Sequence, residues 1–306
     1  MNLYRLRAPA LWRACALGAL SLLATTCSQA SDSGLPDCPG VGPARVLLEK
    51  QGPLESIAFD TSRRLLFTNM TQKALKRLDA PTAAPVTVAT GLSSPGGIAV
   101  VNAHEAYVGT GNSLNGLIPG LGLAGIAHVD LDTGTVTPYA KGLSMSNGMV
   151  RAQDGTFYAS DDLAKSLDRV LPDGTVQRGW LALNSNGMVL SPDQKTLYVN
   201  QMQPAKVFAI DRATSAIRLV AEAPPARTWT WLDGLDVDSQ GRLYVVAYWA
   251  GEIWRVEPGG QMCLLTKGLS LPSAVAVGQS GNGYAASSVY ITTHSGRLHE
   301  VPNAVP

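Results

Sequence analysis

Charge is scarce and balanced in this 306-residue sequence, which excludes several classes of protein. Asp, Glu, Lys and Arg together make up 15% of the residues, and the formal net charge is only +1. A chain so close to neutrality has no basic field for nucleic acid and no acidic field for cationic partners. Hydrophobic residues make up 45% of the chain, which is ample for a folded core.

Long helical patterns and familiar catalytic triads are also missing from the sequence. Beyond the N-terminal segment, no window of useful length has the spacing of an amphipathic helix. The four His and four Cys residues are scattered, so no Ser-His-Asp or Cys-His arrangement emerges. His128 lies in an alternating run and is interpreted as a strand residue.

The N-terminal segment contains an apolar run that predicts export. Three arginines precede apolar residues 14–24, and small polar residues follow as far as Ser31. This is the layout of a signal peptide, and we predict one over residues 1–30. The run is too short for a membrane span. A retained N-terminal anchor is the alternative. The predicted destination is therefore the periplasm or the outside of the cell.

Four cysteines are present, and cleavage after Ala30 would leave only Cys38 and Cys263. An even number of cysteines in an oxidising compartment favours pairing, so we predict a Cys38–Cys263 disulfide, with two free thiols as the alternative. Cys27 follows a Leu-Ala-Thr-Thr stretch that is similar to a lipoprotein signal. A lipid anchor at Cys27 is thus an alternative to release of the exported chain.

The rest of the chain repeats one pattern six times. Each unit has a small or polar residue, an apolar stretch, a turn with Asp or Gly, and a β-rich run. The units begin, at intervals of 41, 51, 39, 47 and 40 residues, with Glu55, Gly96, Asn147, Asn186, Asp233 and Ser273. Three or four short strands in roughly 40 residues is the period of β-propeller blades.

We therefore predict an all-β fold, a six-bladed β-propeller over residues 44–306 with a lead-in at 31–43. Only 33 residues follow Ser273, enough for three strands. The N-terminal strand that begins at Ala44 is predicted to complete blade six and so to close the ring. The longest interval contains a Gly- and Leu-rich stretch, 111–125, which we predict to overhang one mouth of the propeller.

Four of the unit-starting residues carry oxygen ligands, namely Glu55, Asn147, Asn186 and Asp233. The first strand of each blade lines the channel, so these side chains are predicted to meet at one mouth. Two carboxylates and two amides suit one divalent metal ion, with Ca²⁺ favoured and Zn²⁺, Mn²⁺ or Mg²⁺ as alternatives. The competing interpretation is that Asn and Asp before Gly form turns, but it explains poorly why Glu55 shares their register.

This order of residues resembles the senescence-marker-protein/gluconolactonase (SGL) family, and more distantly paraoxonases and strictosidine-synthase-like propellers. The most similar stretches begin at Ser185 and at Leu232, and the resemblance covers about residues 44–302. It implies that the same four residues are metal ligands and that the protein is a divalent-metal-dependent hydrolase, typically of lactones.

Three positions depart from the relatives and bear on the substrate. Met145 and Gly148 stand where sugar-lactone members carry Arg and Asp, and Gly96 stands where paraoxonases carry His. We therefore expect neither the sugar-lactone nor the paraoxonase specificity.

Residues that follow the second strand of a blade are predicted to face the same mouth. Asp161 and Asp162 are candidates for the general base, with a solvated turn pair as the alternative. His294 is a further catalytic candidate, or else a polar rim residue. The predicted substrate contacts are Met145, Met202, Trp229, Trp231, Tyr248 and Trp249. Their apolar character predicts a moderately hydrophobic lactone or activated ester.

Two other functions remain open at this point. A non-catalytic propeller could bind a ligand or a partner protein through the same channel, with the metal stabilising the fold. An isomerase or condensing enzyme of the strictosidine-synthase-like kind would need a general base but no attack by water.

Overall fold

The computed structural model of the protein describes residues 34–113 and 124–306. The predicted signal peptide, Cys27 and most of the predicted overhanging stretch lie outside these residues. In the two ranges, strands β1 to β24 form six four-stranded antiparallel sheets. No helix in this part of the chain is long and apolar enough to span a membrane.

Each sheet is one blade, and four consecutive strands make up each of the first five. Blade one contains β2 (Leu54–Phe59), β3 (Leu65–Asn69), β4 (Ala74–Leu78) and β5 (Val86–Ala89). Blade two contains β6 (Ile98–Val100), β7 (Glu105–Thr110), β8 (Ala124–Asp130) and β9 (Val136–Leu143). Blade three contains β10 (Met149–Arg151), β11 (Phe157–Asp161), β12 (Ser166–Val170) and β13 (Val176–Leu181).

The second half of the ring follows the same plan until the last blade. Blade four contains β14 (Ser185–Leu190), β15 (Thr196–Gln201), β16 (Lys206–Asp211) and β17 (Ile217–Glu222). A 3-10 turn (Pro225–Arg227) leads to blade five, with β18 (Leu232–Val237), β19 (Leu243–Ala247), β20 (Glu252–Val256) and β21 (Met262–Thr266). Blade six contains β22 (Pro272–Val277), β23 (Val289–Thr293), β24 (Leu298–Val301) and β1 (Arg45–Leu48).

The innermost strands form a closed ring, which confirms the predicted propeller. Strands β2, β6, β10, β14, β18 and β22 each contact the next, and β22 returns to β2. Strand β1 pairs antiparallel with β24 as the outer strand of blade six, as predicted, with Arg45 opposite Glu300. These two residues also form an ion pair of 2.6 Å. The ring is thus closed by a strand from the other end of the chain.

The lead-in is fastened to blade five before it reaches blade six. Cys38 and Cys263 are joined in a disulfide across 225 residues of chain. Beside it, the Cys38 N–H donates to the carbonyl of Leu264, and the Leu264 N–H donates to the carbonyl of Pro36, each at 2.8 Å. The lead-in therefore lies along the outer edge of β21.

The core is divided among the interfaces between neighbouring blades. Because successive side chains of a strand point to opposite faces, one strand serves two interfaces. In β3, Leu65 and Phe67 pack toward blade six, whereas Leu66 packs toward blade two. All five residues of β3 are buried. This two-sided burial explains the nearly continuous apolar runs in the second strand of each unit.

Candidate metal and substrate site

The four predicted ligand residues lie together at one end of the inner ring, and all four are buried. Glu55, Asn186 and Asp233 each lie where the pairing of an inner strand with its neighbour shifts register. Such irregularities bend a strand locally and change the direction in which a side chain points. Asn147 lies two residues before β10 begins.

The glycines that follow these residues are explained by close packing of the inner strands. A Cβ atom on Gly148 would lie 2.2 Å from the carbonyl oxygen of Asn186, and one on Gly187 would lie 2.2 Å from that of Asp233. Neither glycine has a positive φ angle. Contact between blades at the ring is therefore a reason for glycine at these two positions that does not depend on a turn.

Buried polar side chains donate hydrogen bonds to backbone carbonyls at the inner ring. The Ser160 hydroxyl donates to the carbonyl of Asn186 at 2.6 Å, and the Asn200 amide donates to the carbonyl of Asp233. Thr68 and Ser273 make equivalent bonds to the carbonyls of Gly96 and Leu54. Each bond joins one blade to the next. A buried hydrogen bond of this kind, once broken, leaves an unsatisfied group that costs about 1–3 kcal/mol.

Both carboxylate oxygens of Glu55 are engaged by side chains. His294 Nε2 lies 2.6 Å from Glu55 Oε2, and the amide of Asn112 donates to Oε1 at 3.0 Å. On its other side, His294 Nδ1 lies 2.9 Å from the hydroxyl of Tyr248. Glu55 is thus held from two directions, by residues of blade six and blade two.

The site concentrates negative charge with little compensation. Burial, followed by the charges of Glu55 and Asp161, raises the pKa of Asp162 to about 6. Burial, followed by the charges of Glu55 and Asp162, holds the pKa of Asp233 well above its usual value. Asp162 Oδ1 is buried and has no hydrogen-bond partner among the described residues. Three mutually repelling carboxylates with an unpartnered oxygen are what a cation would stabilise.

The structure separates the two aspartates that were candidates for the base. Asp162 lines the cavity above the ring. Asp161 is 1% exposed, and its Oδ1 accepts the backbone N–H groups of Leu163 and Ala164. Asp161 is not among the cavity residues, so its carboxylate shapes the turn after β11 while Asp162 faces the site.

A cavity of about 380 Å³ opens above the ring. Its walls are largely apolar and consist of Met70, Met145, Leu163, Met202, Trp231, Tyr248 and Trp249. The ring centroids of Trp231 and Trp249 are 5.4 Å apart, and those of Tyr248 and Trp249 are 4.8 Å apart. Trp229, also predicted to contact the substrate, is 70% exposed and does not line this cavity.

Met70 and Asn112 also line the cavity, although the sequence analysis did not select them. Met70 directly follows β3, and Asn112 comes two residues after β7. They therefore obey the rule that pointed to Asp162 and His294, namely that residues after the second strand of a blade face the mouth. Applied to every blade, that rule would have found both.

The donor set is compatible with a hard cation, although the described side chains are not arranged as a complete metal site. Within residues 34–113 and 124–306, no group of three His, Cys, Asp or Glu side chains has metal-binding geometry. The ring supplies only two carboxylates, and its other two members are amides. Carboxylate and amide oxygens in this mixture fit Ca²⁺, which takes ligands of both kinds.

The fold and the ring define a six-bladed propeller with an acidic site on its axis. The chain belongs to the SMP-30/gluconolactonase/LRE-like family, whose model matches residues 54–295. Among curated proteins, no sequence matches this chain.

Several solved structures have a similar fold. One is a gluconolactonase from Xanthomonas campestris, with 21% identity, a TM-score of 0.66, and coverage of 85% of this chain and 89% of that one. Another is regucalcin, a calcium-binding protein from Agrobacterium tumefaciens, with 16% identity, a TM-score of 0.68, and coverage of 85% and 93%. Virginiamycin B lyase from Staphylococcus aureus has 12% identity, a TM-score of 0.57, and coverage of 85% and 98%. At such identities the likeness shows the fold alone.

Proposed function

We propose that this protein is an exported hydrolase of lactones or activated esters that depends on one divalent cation. One observation carries the proposal: three carboxylates and two amides converge at the floor of an apolar cavity, and Asp162 Oδ1 is buried there with no partner in residues 34–113 and 124–306. Membership of the family and the likeness to a gluconolactonase support a lactonase-type propeller.

Glu55, Asn147, Asn186 and Asp233 would hold the cation. Ca²⁺ is the ion we favour, because all four residues offer hard oxygen donors. The likeness to a calcium-binding regucalcin supports this choice. When bound, the cation would polarise the carbonyl group of the substrate and stabilise the negative charge that develops on its oxygen.

Asp162 is the side chain best suited to accept a proton from water. Burial and the charges of Glu55 and Asp161 raise the pKa of Asp162 to about 6 in the metal-free protein, which makes its carboxylate a stronger base than an ordinary aspartate. As the water oxygen bonds to the acyl carbon, Asp162 accepts the proton. The bond between the acyl carbon and the ring oxygen then breaks, and the proton passes to that oxygen to give a hydroxy acid.

His294 is less suited to that role. Its two ring nitrogens already face Glu55 and Tyr248, at 2.6 and 2.9 Å. Taking a proton from water would require one of these contacts to break. We therefore assign proton transfer to Asp162 and a supporting role to His294.

The walls of the cavity favour an uncharged substrate with an aliphatic or aryl group. Methionine and tryptophan side chains provide most of the apolar lining, and no Lys or Arg is among the described residues that line the cavity. A site of this kind binds apolar ligand surface and orients it through a few polar groups. We also propose that the protein works in the periplasm or outside the cell, which the Cys38–Cys263 disulfide supports.

The first test is hydrolysis of a panel of lactones, from sugar lactones to long-chain and aryl lactones, with and without a chelator. We expect turnover that a chelator removes and Ca²⁺ restores, with the aryl or long-chain lactones as the best substrates. A folded, Ca²⁺-loaded protein that hydrolyses none of them would instead support a ligand-binding propeller.

The second test compares the aspartates of blade three. Asp162→Asn is expected to lower kcat by about 100-fold or more, the range typical of a lost general base. Asp173→Asn, at an exposed turn of the same blade, serves as the matched control and should retain wild-type kcat. Loss of turnover in Asp161→Asn but not in Asp162→Asn would show that the proton acceptor is misassigned.

A further inference from the structure

A continuous line of contacts connects the exposed aromatic rim of the cavity to Glu55. Trp249 is 57% exposed and packs edge-on against Tyr248, with ring centroids 4.8 Å apart. The Tyr248 hydroxyl lies 2.9 Å from His294 Nδ1, and His294 Nε2 lies 2.6 Å from Glu55 Oε2. Three contacts therefore separate the rim from a predicted ligand of the cation.

His294 and Glu55 each have a further contact outside this line. The backbone N–H of His294 donates to the carbonyl of Leu271 at 2.8 Å, and the imidazole packs edge-on against Tyr248, with ring centroids 5.3 Å apart. Asn112 engages the second oxygen of Glu55. The orientation of the carboxylate therefore depends on where Tyr248 and His294 lie.

We propose that Tyr248 and His294 are positioning residues that couple two binding events, an apolar group against Trp249 and a divalent cation at Glu55. The proposal rests on the cation site of the proposed function. An apolar group against Trp249 restricts the positions open to Tyr248, and through the hydroxyl it restricts His294. A cation at Glu55 restricts His294 from the other side.

The two events constrain the same pair of side chains, so the first to occur reduces the ordering that the second requires. Each ligand then raises the affinity for the other by the same factor, as linkage demands. We assign the coupling to the hydroxyl of Tyr248, which makes the polar contact with His294 at 2.9 Å, whereas the two rings otherwise only pack edge-on. Loss of this hydroxyl should therefore remove the coupling, while an apolar group can still bind against Trp249.

Toluene and Ca²⁺ are the probes for this coupling. Toluene has no atom that can ligate a cation, so it cannot raise the affinity for Ca²⁺ by coordinating the ion, and the variants below separate coupling through Tyr248 from displacement of water in the shared cavity. In calorimetric titrations of the full protein, a toluene concentration close to saturation is expected to lower the Kd for Ca²⁺ by about fivefold or more, the lower end of typical allosteric coupling.

Tyr248→Phe is the decisive variant, because it keeps the aromatic ring and removes only the hydroxyl. We expect it to bind Ca²⁺ and toluene separately, with toluene changing the Kd for Ca²⁺ by less than about twofold, well below typical coupling. Tyr139→Phe is the matched control. Tyr139 packs between Tyr107 and Phe157 and does not line the cavity, so this variant should retain the wild-type coupling.

Several outcomes would overturn the proposal. Toluene without effect on the wild-type Kd would do so, as would full coupling in Tyr248→Phe or an equal loss of coupling in Tyr139→Phe. Absence of Ca²⁺ binding would overturn both this coupling and the cation site. Coupled binding in a protein that hydrolyses no lactone would uphold the inference and refute the proposed hydrolase.

Discussion

Asp233 and Asp238 lie at the two ends of one inner strand, β18, and both are buried, yet their surroundings are opposite in kind. Asp238 accepts the guanidinium of Arg242 at 2.7 Å, the hydroxyl of Tyr244 at 3.1 Å, and two backbone N–H groups. Asp233 faces the like charges of Glu55 and Asp162, which together with burial raise its pKa.

Blade one repeats the contrast. Asp60, directly after β2, accepts the Nε–H group of Arg64 at 2.6 Å, while Glu55, near the start of β2, belongs to the acidic ring. The acid at the end of each of these two strands thus satisfies its charge within its own hairpin. The acid at the start of each strand faces like charges instead, and no Lys or Arg is among the described residues that line its cavity. Burial alone therefore does not distinguish a structural carboxylate from a functional one, whereas its partners do.

The largest expected effect is a loss of stability when the acid at the end of an inner strand is replaced. Asp238→Asn should lower the free energy of unfolding by about 3–5 kcal/mol, because it leaves Arg242 without its buried partner. Urea unfolding in the presence of chelator measures this loss, and calorimetry should give an unchanged Kd for Ca²⁺. Asp60→Asn offers an independent repeat in blade one. Wild-type stability in both variants would contradict the structural role of these acids.

At the other end of β18, the main effect is expected on cation binding. Asp233→Asn should weaken Ca²⁺ binding by about 100-fold or more, beyond what loss of a supporting contact causes. Stability without metal should stay the same or rise, because one of three repelling charges is gone. Calorimetry and chelated urea unfolding check the two parts. Wild-type affinity for Ca²⁺, or a loss of stability as large as that of Asp238→Asn, would contradict the difference between the two ends of β18.

The apolar wall of the cavity should affect substrate binding without affecting the cation. Trp249→Ala is expected to raise KM for an aryl lactone by about tenfold, the size of a lost apolar pocket contact. Leu219→Ala removes an exposed apolar side chain from the outer strand of blade four and is the matched control. Steady-state kinetics with aryl and small aliphatic lactones test this, and equal changes for both substrates would argue against an aryl subsite.

The smallest expected effect is on the pH dependence of stability in the absence of metal. The folded pKa of Asp162, about 6, lies above its unfolded value, so the folded state binds more protons between these pKa values. Its contribution to stability is complete below about pH 4 and is lost as the pH rises through about 6. Asp162→Asn should therefore exceed the wild type by on the order of 1 kcal/mol at pH 7 and match it at pH 4. Chelated urea unfolding at both pH values measures the difference, and equal stability at pH 7 would contradict it.

Much of the fold could be predicted because its information is local and repeated. Alternating apolar residues, turn residues and a period near 40 indicate strands and blades without knowledge of long-range contacts. The short last unit likewise predicted that β1 would complete blade six. The grouping of Glu55, Asn147, Asn186 and Asp233 followed from their shared register, since equivalent positions of a repeat meet on its axis.

The remaining features depend on contacts that no local pattern encodes. Glu55 and His294 are separated by 239 residues and meet only because the ring closes. Asp161 and Asp162 are neighbours in the chain. Only the backbone geometry determines that Asp161 bonds to the turn after β11 and that Asp162 lines the cavity. The register shifts at Glu55, Asn186 and Asp233 have no sequence signature of their own.

By itself, then, the sequence determined the number of blades, the strand that closes the ring and the residues that share the axis. It could do so because every repeat has the same local pattern of strand and turn residues, so equivalent positions occupy equivalent places in each blade. Tertiary structure alone decided which of these residues gained partners. That choice depends on the distances between side chains of different blades, which are set when the inner strands pack against one another and the last blade meets the first.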